Sequence, residues 1–266
     1  LKQQSLGLQK QRDDLLEAAG LLEIYRDDGH VCKRCEDTGY IGSTKCECFQ
    51  KLLREAAFDA LGASHPQDCR NFSLDYYSPQ PLANGVVPRQ RMAQVKNFCS
   101  DYARDFFVER HSFSKAQSSP SLLFLGNTGL GKTHLSLAIA GQVINKGYGV
   151  IYGSAQNLLA KLEKEKFSFN NTEDQPQSYL SLVLECDLLI LDDLGTEFLS
   201  QFVTAMLYNI INTRLLEGRP TIISTNLSFQ EISKRYTDRL TSRLFGGYMH
   251  FEFLGRDIRI QSKIMG

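Results

Sequence analysis

The run Gly126-Asn127-Thr128-Gly129-Leu130-Gly131-Lys132-Thr133 has the residue types and spacing of a loop that wraps phosphate. Its glycines permit backbone conformations that a Cβ resists, so successive N–H groups can curl around phosphate oxygens. A helix starting at Thr133 adds unpaired N–H donors and a partial positive charge. Lys132 is placed to reach the β- and γ-phosphates, and Thr133 to offer its hydroxyl to Mg²⁺. The bland alternative is a glycine-rich turn from strand to helix. The apolar run Leu122 to Leu125 before the loop and the helical pattern Thr133 to Ile144 after it favour the nucleotide.

A second constellation says what the nucleotide is for. Asp187 to Asp193 is an apolar strand that ends in two carboxylates. Asp192 is the expected Mg²⁺ ligand beside Thr133, and Asp193 the group that orients or deprotonates the attacking water. Glu197 lies close enough in sequence to be the acid instead. Asn226 ends the next strand, Thr221 to Asn226, where an amide can hold that water and sense the γ-phosphate; asparagine also ends strands for turn reasons alone. Arg239 and Arg243 are four residues apart and share a face if the segment is helical. Arg243 is the better candidate for an arginine finger, since Asp238 or Asp257 could pair with Arg239.

The elements that position these residues alternate. A short strand at 149–153 follows the nucleotide helix, helical segments come next, and Val203, Met206, Leu207, Ile210, Ile211 and Leu215 mark the buried stripe of a long helix. Tyr248 to Phe253 reads as a last strand. Strands alternating with helices predict a parallel sheet covered on both faces. Upstream, 89–110 reads as a helix, and 65–88, rich in Pro, Ser, Asn and Tyr, as a linker over the next domain's surface. The expected domains are 1–64, a helix plus a metal module; 65–88, a linker; and 89–266, the nucleotide domain.

Cys32-x-x-Cys35 and Cys46-x-Cys48 flank a turn-rich stretch. Four thiolates from two close pairs form a tetrahedron that suits structural Zn²⁺. The second pair is tighter than usual finger spacing, so His30 or Cys69 could replace one ligand. Redox chemistry at Cys32 and Cys35 is the rival, without a surrounding thioredoxin-like strand and helix. Leu1 to Asp27 reads as an amphipathic helix through Leu8, Leu15, Ala18, Leu22 and Tyr25, whose apolar face packs on its own domain or meets a partner.

Composition narrows the classes. Thirty acidic and thirty basic side chains in 266 residues disfavour a uniformly basic duplex binder. No apolar run approaches the ~20 residues of a membrane helix, and the start does not resemble a signal peptide. With seven cysteines in a chain this long, a reducing cytoplasmic protein is expected. The chain opens on Leu1 rather than Met, which leaves room for a natural start upstream.

Gly126-x-x-Gly129-x-Gly131-Lys132-Thr133-His134-Leu135, Asp192-Asp193-Leu194-Gly195, Ser224-Thr225-Asn226 and Arg239-Leu240-Thr241-Ser242-Arg243-Leu244, in that order, resemble the AAA+ ATPases of the DnaC/DnaI helicase-loader and IstB group. The cysteine module followed by Asp37-Thr38-Gly39 resembles the N-terminal zinc region of DnaI-type loaders. The resemblance implies a P-loop AAA+ domain that binds ATP and Mg²⁺ and places the replicative helicase on single-stranded DNA. It implies a homo-oligomer in which Arg243 acts on the neighbouring subunit's ATP, with Asn226 as sensor 1. IstB-like service to a transposase is the alternative it carries. Two departures stand out: the acid is Asp193 rather than the glutamate of many AAA+ proteins, which predicts slow turnover, and no full C-terminal lid is expected. Arg259 is then the candidate second sensor.

For DNA, Lys161, Lys164, Lys166, Phe167 and Phe169 mix cations with aromatics, as single-strand binding by phosphate attraction and base stacking requires. A solvated helix edge with two core phenylalanines accounts for the same composition.

Overall fold

The computed structural model describes residues 11–12, 14–20, 30–42, 44–60, 68–109, 118–167 and 178–265. The chain divides into two units, Leu1–Leu53 and Arg54–Gly266.

The first unit holds a small hairpin, β1 (Tyr40–Ile41) and β2 (Thr44–Lys45), with Tyr40 opposite Lys45. It is followed by helix α1 (Glu47–Ala60). The turn before β1 is tight, with Glu36 and Asp37 at φ 50° and 58°. The Asp37 carboxylate accepts the N–H groups of Val31 (3.0 Å) and Cys32 (2.9 Å), which fastens the turn and holds the carboxyl below its usual range. Of the expected N-terminal helix, residues 14–18 are helical and Leu15 is exposed; Leu8, Leu22 and Tyr25 lie outside the described residues.

In the second unit the helices are α2 (Pro88–Asp105), α3 (Lys132–Asn145), α4 (Ala155–Phe167), α5 (Tyr179–Glu185), α6 (Gln201–Leu216), α7 (Phe229–Arg235), α8 (Asp238–Gly247) and α9 (Ile258–Met265). The strands β3 (Leu122–Leu125), β4 (Val150–Ser154), β5 (Leu188–Leu194), β6 (Thr221–Thr225) and β7 (Met249–Glu252) form one parallel sheet in the order β4-β5-β6-β3-β7.

Successive strand residues point to opposite faces, and the two cores divide on that parity. Leu122, Phe124, Leu188, Ile190 and Ile222 pack with α2 and α3. Leu123, Leu189, Leu191 and Ile223 pack with α4, α6 and α8. Both faces are apolar because both are covered, and each such side chain stabilises the fold by about 1.5–3 kcal/mol. Pro at the start of α2 and Ser or Thr caps at α5, α6, α7 and α8 fix where those helices begin. No helix among the described residues is long and apolar enough to cross a membrane.

Two segments differ from the sequence reading. The 65–88 stretch lies within the second unit, and its Phe72 and Tyr77 are buried in the same core as α2 and α3. Beyond β7 the chain turns at Gly255 and adds α9, an element the sequence reading did not contain.

Candidate nucleotide-binding site

The phosphate loop runs between the end of β3 and the start of α3 and is held from two sides. A Cβ on Gly131 would stand 2.5 Å from the Phe72 ring, and one on Gly129 only 2.0 Å from the Asp257 carboxylate. Both glycines also have positive φ, 86° and 75°, so each position excludes a side chain twice over. The Tyr77 hydroxyl donates to Leu130 O at 2.9 Å, and the Ile258 N–H donates to Gly129 O at 2.9 Å. No side chain caps α3 at Gly131, which leaves first-turn N–H groups for a ligand.

Lys132 is buried, and its ammonium donates to Gly126 O (2.5 Å), Asn127 O (2.7 Å) and Asn226 Oδ1 (2.7 Å). Burial lowers its pKa to about 8, against the opposing pull of Asp193 and Asp192. Thr133 Oγ1 donates to Asp192 Oδ2 at 2.8 Å. Tyr152 donates to the same oxygen at 3.0 Å, and Ser224 Oγ donates to Asp192 Oδ1.

Asp193 reaches the site through an irregularity. Leu191 pairs with Ile223 and Leu194 with Thr225, so β5 carries one residue more than β6 between those pairs. Asp193 adopts φ 54° there, and its N–H donates to Ser224 Oγ at 2.9 Å. A bulge of this kind re-aims a side chain, and it brings Asp193 to the cleft while Asp192 stays bonded to Thr133. Burial, then the neighbouring Asp192, pushes the Asp193 carboxyl above its ordinary value.

The resulting cleft measures about 270 Å³ and is lined by Thr128 to His134, Asp193 and Asn226. Asn71, Phe72, Ser73, Tyr76, Ile258 and Arg259 complete it. Arg259 therefore lies beside the loop, whereas His134 turns its Nε2 to Asp68 O (3.2 Å) and its ring toward Phe72. The sequence reading missed Asn71, Phe72, Ser73, Tyr76 and Ile258; aromatics within a turn-rich stretch were their only signal.

Glu197 is elsewhere. It is 3% exposed and accepts from the Gly195 N–H (2.8 Å) and the Tyr236 hydroxyl, with Arg235 Nε 3.7 Å away. These bonds tie the end of β5 to the C-terminal end of α7 and its cap residue Tyr236. Arg239 and Arg243 are exposed on α8, whose Leu240 and Leu244 are buried, and line no part of this cleft.

Lys161, Lys164 and Lys166 are exposed on α4. Lys161 Nζ sits 4.0 Å from the centre of the Tyr179 ring and Lys166 Nζ 4.9 Å from that of Phe202. Phe169 and the Phe167 side chain lie outside the described residues.

In the first unit the sulfurs of Cys32, Cys35, Cys46 and Cys48 all lie within 4.8 Å of one another. Cys32 and Cys46 are 3.7 Å apart, Cys35 and Cys48 3.3 Å. A tetrahedron of sulfurs ~2.3 Å from zinc has edges of about 3.8 Å, so the four thiols fit that ion. His30 Nδ1 instead lies 3.7 Å from Asp37, and Cys69 is buried in the second unit's core.

The model of the IstB-like ATP binding protein family matches residues 97–251. The replicative helicase loader DnaC of Escherichia coli (strain K12) is 27% identical over 124 residues, 47% of this chain and 49% of that protein. An insertion sequence IS5376 putative ATP-binding protein of Geobacillus stearothermophilus is 28% identical over 148 residues, 54% of this chain and 57% of that protein. The chain thus spans about half the length of the curated relatives it matches. The crystal structure of the DnaC helicase loader, 24% identical, superposes with a TM-score of 0.52, covering 69% of this chain and 97% of that one. AMPPCP-bound DnaA from Aquifex aeolicus, 22% identical, gives 0.51 over 72% and 56%. At these identities the solved structures speak for the fold, a P-loop AAA+ sheet. The family model covers more than half of the chain, with the phosphate loop and both acids inside the match, and the chain belongs to the IstB-like ATP-binding family.

Proposed function

We propose that this protein is a cytoplasmic ATPase that loads the replicative DNA helicase onto single-stranded DNA, with ATP bound and hydrolysed between subunits of a homo-oligomer. One observation carries the reading. Lys132, Thr133, Asp193 and Asn226 line one cleft, with Asp192 bonded to Thr133 behind it, while Arg243 projects from α8 outside it. Arg259 supplies a guanidinium to this cleft, and the exposed Arg243 would supply a second one to the cleft of a neighbouring subunit.

In this reading the loop amides and Lys132 bind the phosphates, and Arg259 lies beside them. Thr133 and Asp192 would hold Mg²⁺, which supplies neutralisation of phosphate charge when bound. Asp193, with its raised carboxyl pKa, accepts a proton from water more readily than an ordinary aspartate. Asn226 positions that water and reports to Lys132. Lys161, Lys164 and Lys166 supply phosphate contacts for a single strand.

The similarity to a replicative helicase loader and the cysteine module ahead of the ATPase unit support the loader role. The insertion-sequence relative supports the second reading, an accessory ATPase of transposition. Co-purification of the full chain with the host's replicative helicase, with and without ATP, tests the choice. The loader reading expects ATP-dependent capture of helicase and turnover stimulated by single-stranded DNA. Capture of a transposase in place of helicase would replace it.

A further inference from the structure

We propose that Tyr152 is a positioning residue of the nucleotide–magnesium site, its hydroxyl fixing the orientation of the Asp192 carboxylate. The proposal rests on the reading of Asp192 as the acid that holds Mg²⁺.

The sheet register brings the two side chains together. On β4 and β5, Tyr152 pairs with Ile190 and Ser154 with Asp192. Tyr152 and Asp192 are therefore diagonal neighbours on one face of a parallel pair, within reach of a long aromatic side chain. The Tyr152 hydroxyl donates to Asp192 Oδ2 at 3.0 Å, while its ring packs against the core that also contains α3.

Three hydroxyls hold this buried carboxylate, and they differ in their other duties. Ser224 donates to Oδ1 and also accepts the Asp193 N–H. Thr133 donates to Oδ2 but is the side chain assigned to Mg²⁺. Tyr152 is the donor to Oδ2 with neither of those roles. A carboxylate rotates about its last side-chain bond unless both oxygens are fastened. Hydrogen bonds behind a metal-binding carboxylate are worth about 10–100-fold in metal affinity. The ring alone would satisfy packing; a hydroxyl aimed at Asp192 is explained by orienting the acid.

The test measures binding of a fluorescent methylanthraniloyl-ATP to the full chain as a function of free Mg²⁺, and again in EDTA, for wild type, Tyr152→Phe and Asp192→Asn. Asp192→Asn should lose the Mg²⁺ dependence while keeping metal-free binding; if it behaves as wild type, the reading of Asp192 fails and this proposal with it. Tyr152→Phe should shift the Mg²⁺ midpoint up about tenfold, with EDTA affinity and the melting temperature of the nucleotide-free protein unchanged. If Asp192→Asn loses the dependence but Tyr152→Phe keeps the wild-type midpoint, the role of Tyr152 alone is refuted. A fall in EDTA affinity and melting temperature in step with the midpoint also refutes it, because that pattern belongs to a packing role.

Discussion

The ammonium of Lys132 and the side-chain oxygen of Asn226 lie 2.7 Å apart, joining the phosphate loop to the end of β6. With two loop carbonyls as its other acceptors, Lys132 has a partner for each N–H without a phosphate present. A nucleotide that recruits this lysine must displace at least one of these three acceptors, Gly126 O, Asn127 O or Asn226 Oδ1.

That geometry gives a pH dependence. Burial holds Lys132 at about 8, below its ordinary 10.5, so between those values the folded chain binds fewer protons than the unfolded one. Stability of the nucleotide-free protein from this group therefore rises with pH across that window. Phosphates favour the charged lysine and raise its pKa, so ATP binding takes up a proton near pH 8. Affinity should fall as pH rises from about 7 to about 9, approaching tenfold per unit above 8. Calorimetric titrations in buffers of different ionisation enthalpy measure the proton directly; no uptake at pH 8 would contradict it.

Lys132→Ala should lose ATP affinity by at least about tenfold, the value of one or two charge-assisted hydrogen bonds. The fold should survive, because the loop remains clamped by Tyr77 on one side and Ile258 on the other. Unchanged ATP affinity in a folded variant would remove the phosphate-loop assignment.

How far the sequence could be read depended on the kind of signal. The phosphate loop, the strand ending in Asp192 and the strand before Asn226 were legible because apolar runs bounded by turn residues have few other structures available. Tyr152 and Ser224 were not, since each is an ordinary strand residue whose role comes from cross-strand register. The bulge that turns Asp193 into the cleft is likewise a matter of pairing, with no residue type that announces it. Phe72 and Tyr77 hid in a stretch whose prolines and small polar residues read as loop. The α9 helix was too short for periodicity to mark, although the family resemblance had singled out Arg259.

Arg243→Ala should bind ATP as wild type does and lose about a thousandfold or more in turnover, the range for an arginine finger. It is exposed on α8, away from the cleft of its own chain, so under the proposed function it would act on a neighbour. Mixing it with Asp193→Asn chains pairs an intact acid with an intact guanidinium at some interfaces. Partial recovery of hydrolysis is expected from the mixture; a mixture as inactive as its components rules out the shared site.

The four thiols predict about one zinc per chain. Elemental analysis of protein purified in reductant without chelator checks the count. Cys46→Ser, which removes a buried ligand, should lower occupancy and loosen the Leu1–Leu53 unit, seen as faster proteolysis there, while ATP binding by the second unit persists. Metal-free wild-type protein with intact thiols would overturn the zinc assignment.

Asp193 and Glu197 can be told apart by what each is bonded to. Asp193 lines the cleft beside Asn226, whereas Glu197 is buried against Gly195, Arg235 and Tyr236. Asp193→Asn should keep ATP affinity and abolish turnover with little change in melting temperature. Glu197→Ala strands a backbone donor and a phenol in the interior, at about 1–3 kcal/mol, which lowers the melting temperature by about 5 °C. It should still hydrolyse ATP below that temperature, because no bond from Glu197 enters the cleft. The reverse pattern, a silent Asp193→Asn and an inactive but fully stable Glu197→Gln, would move the catalytic acid to Glu197 and require the end of β5 to rearrange when nucleotide binds.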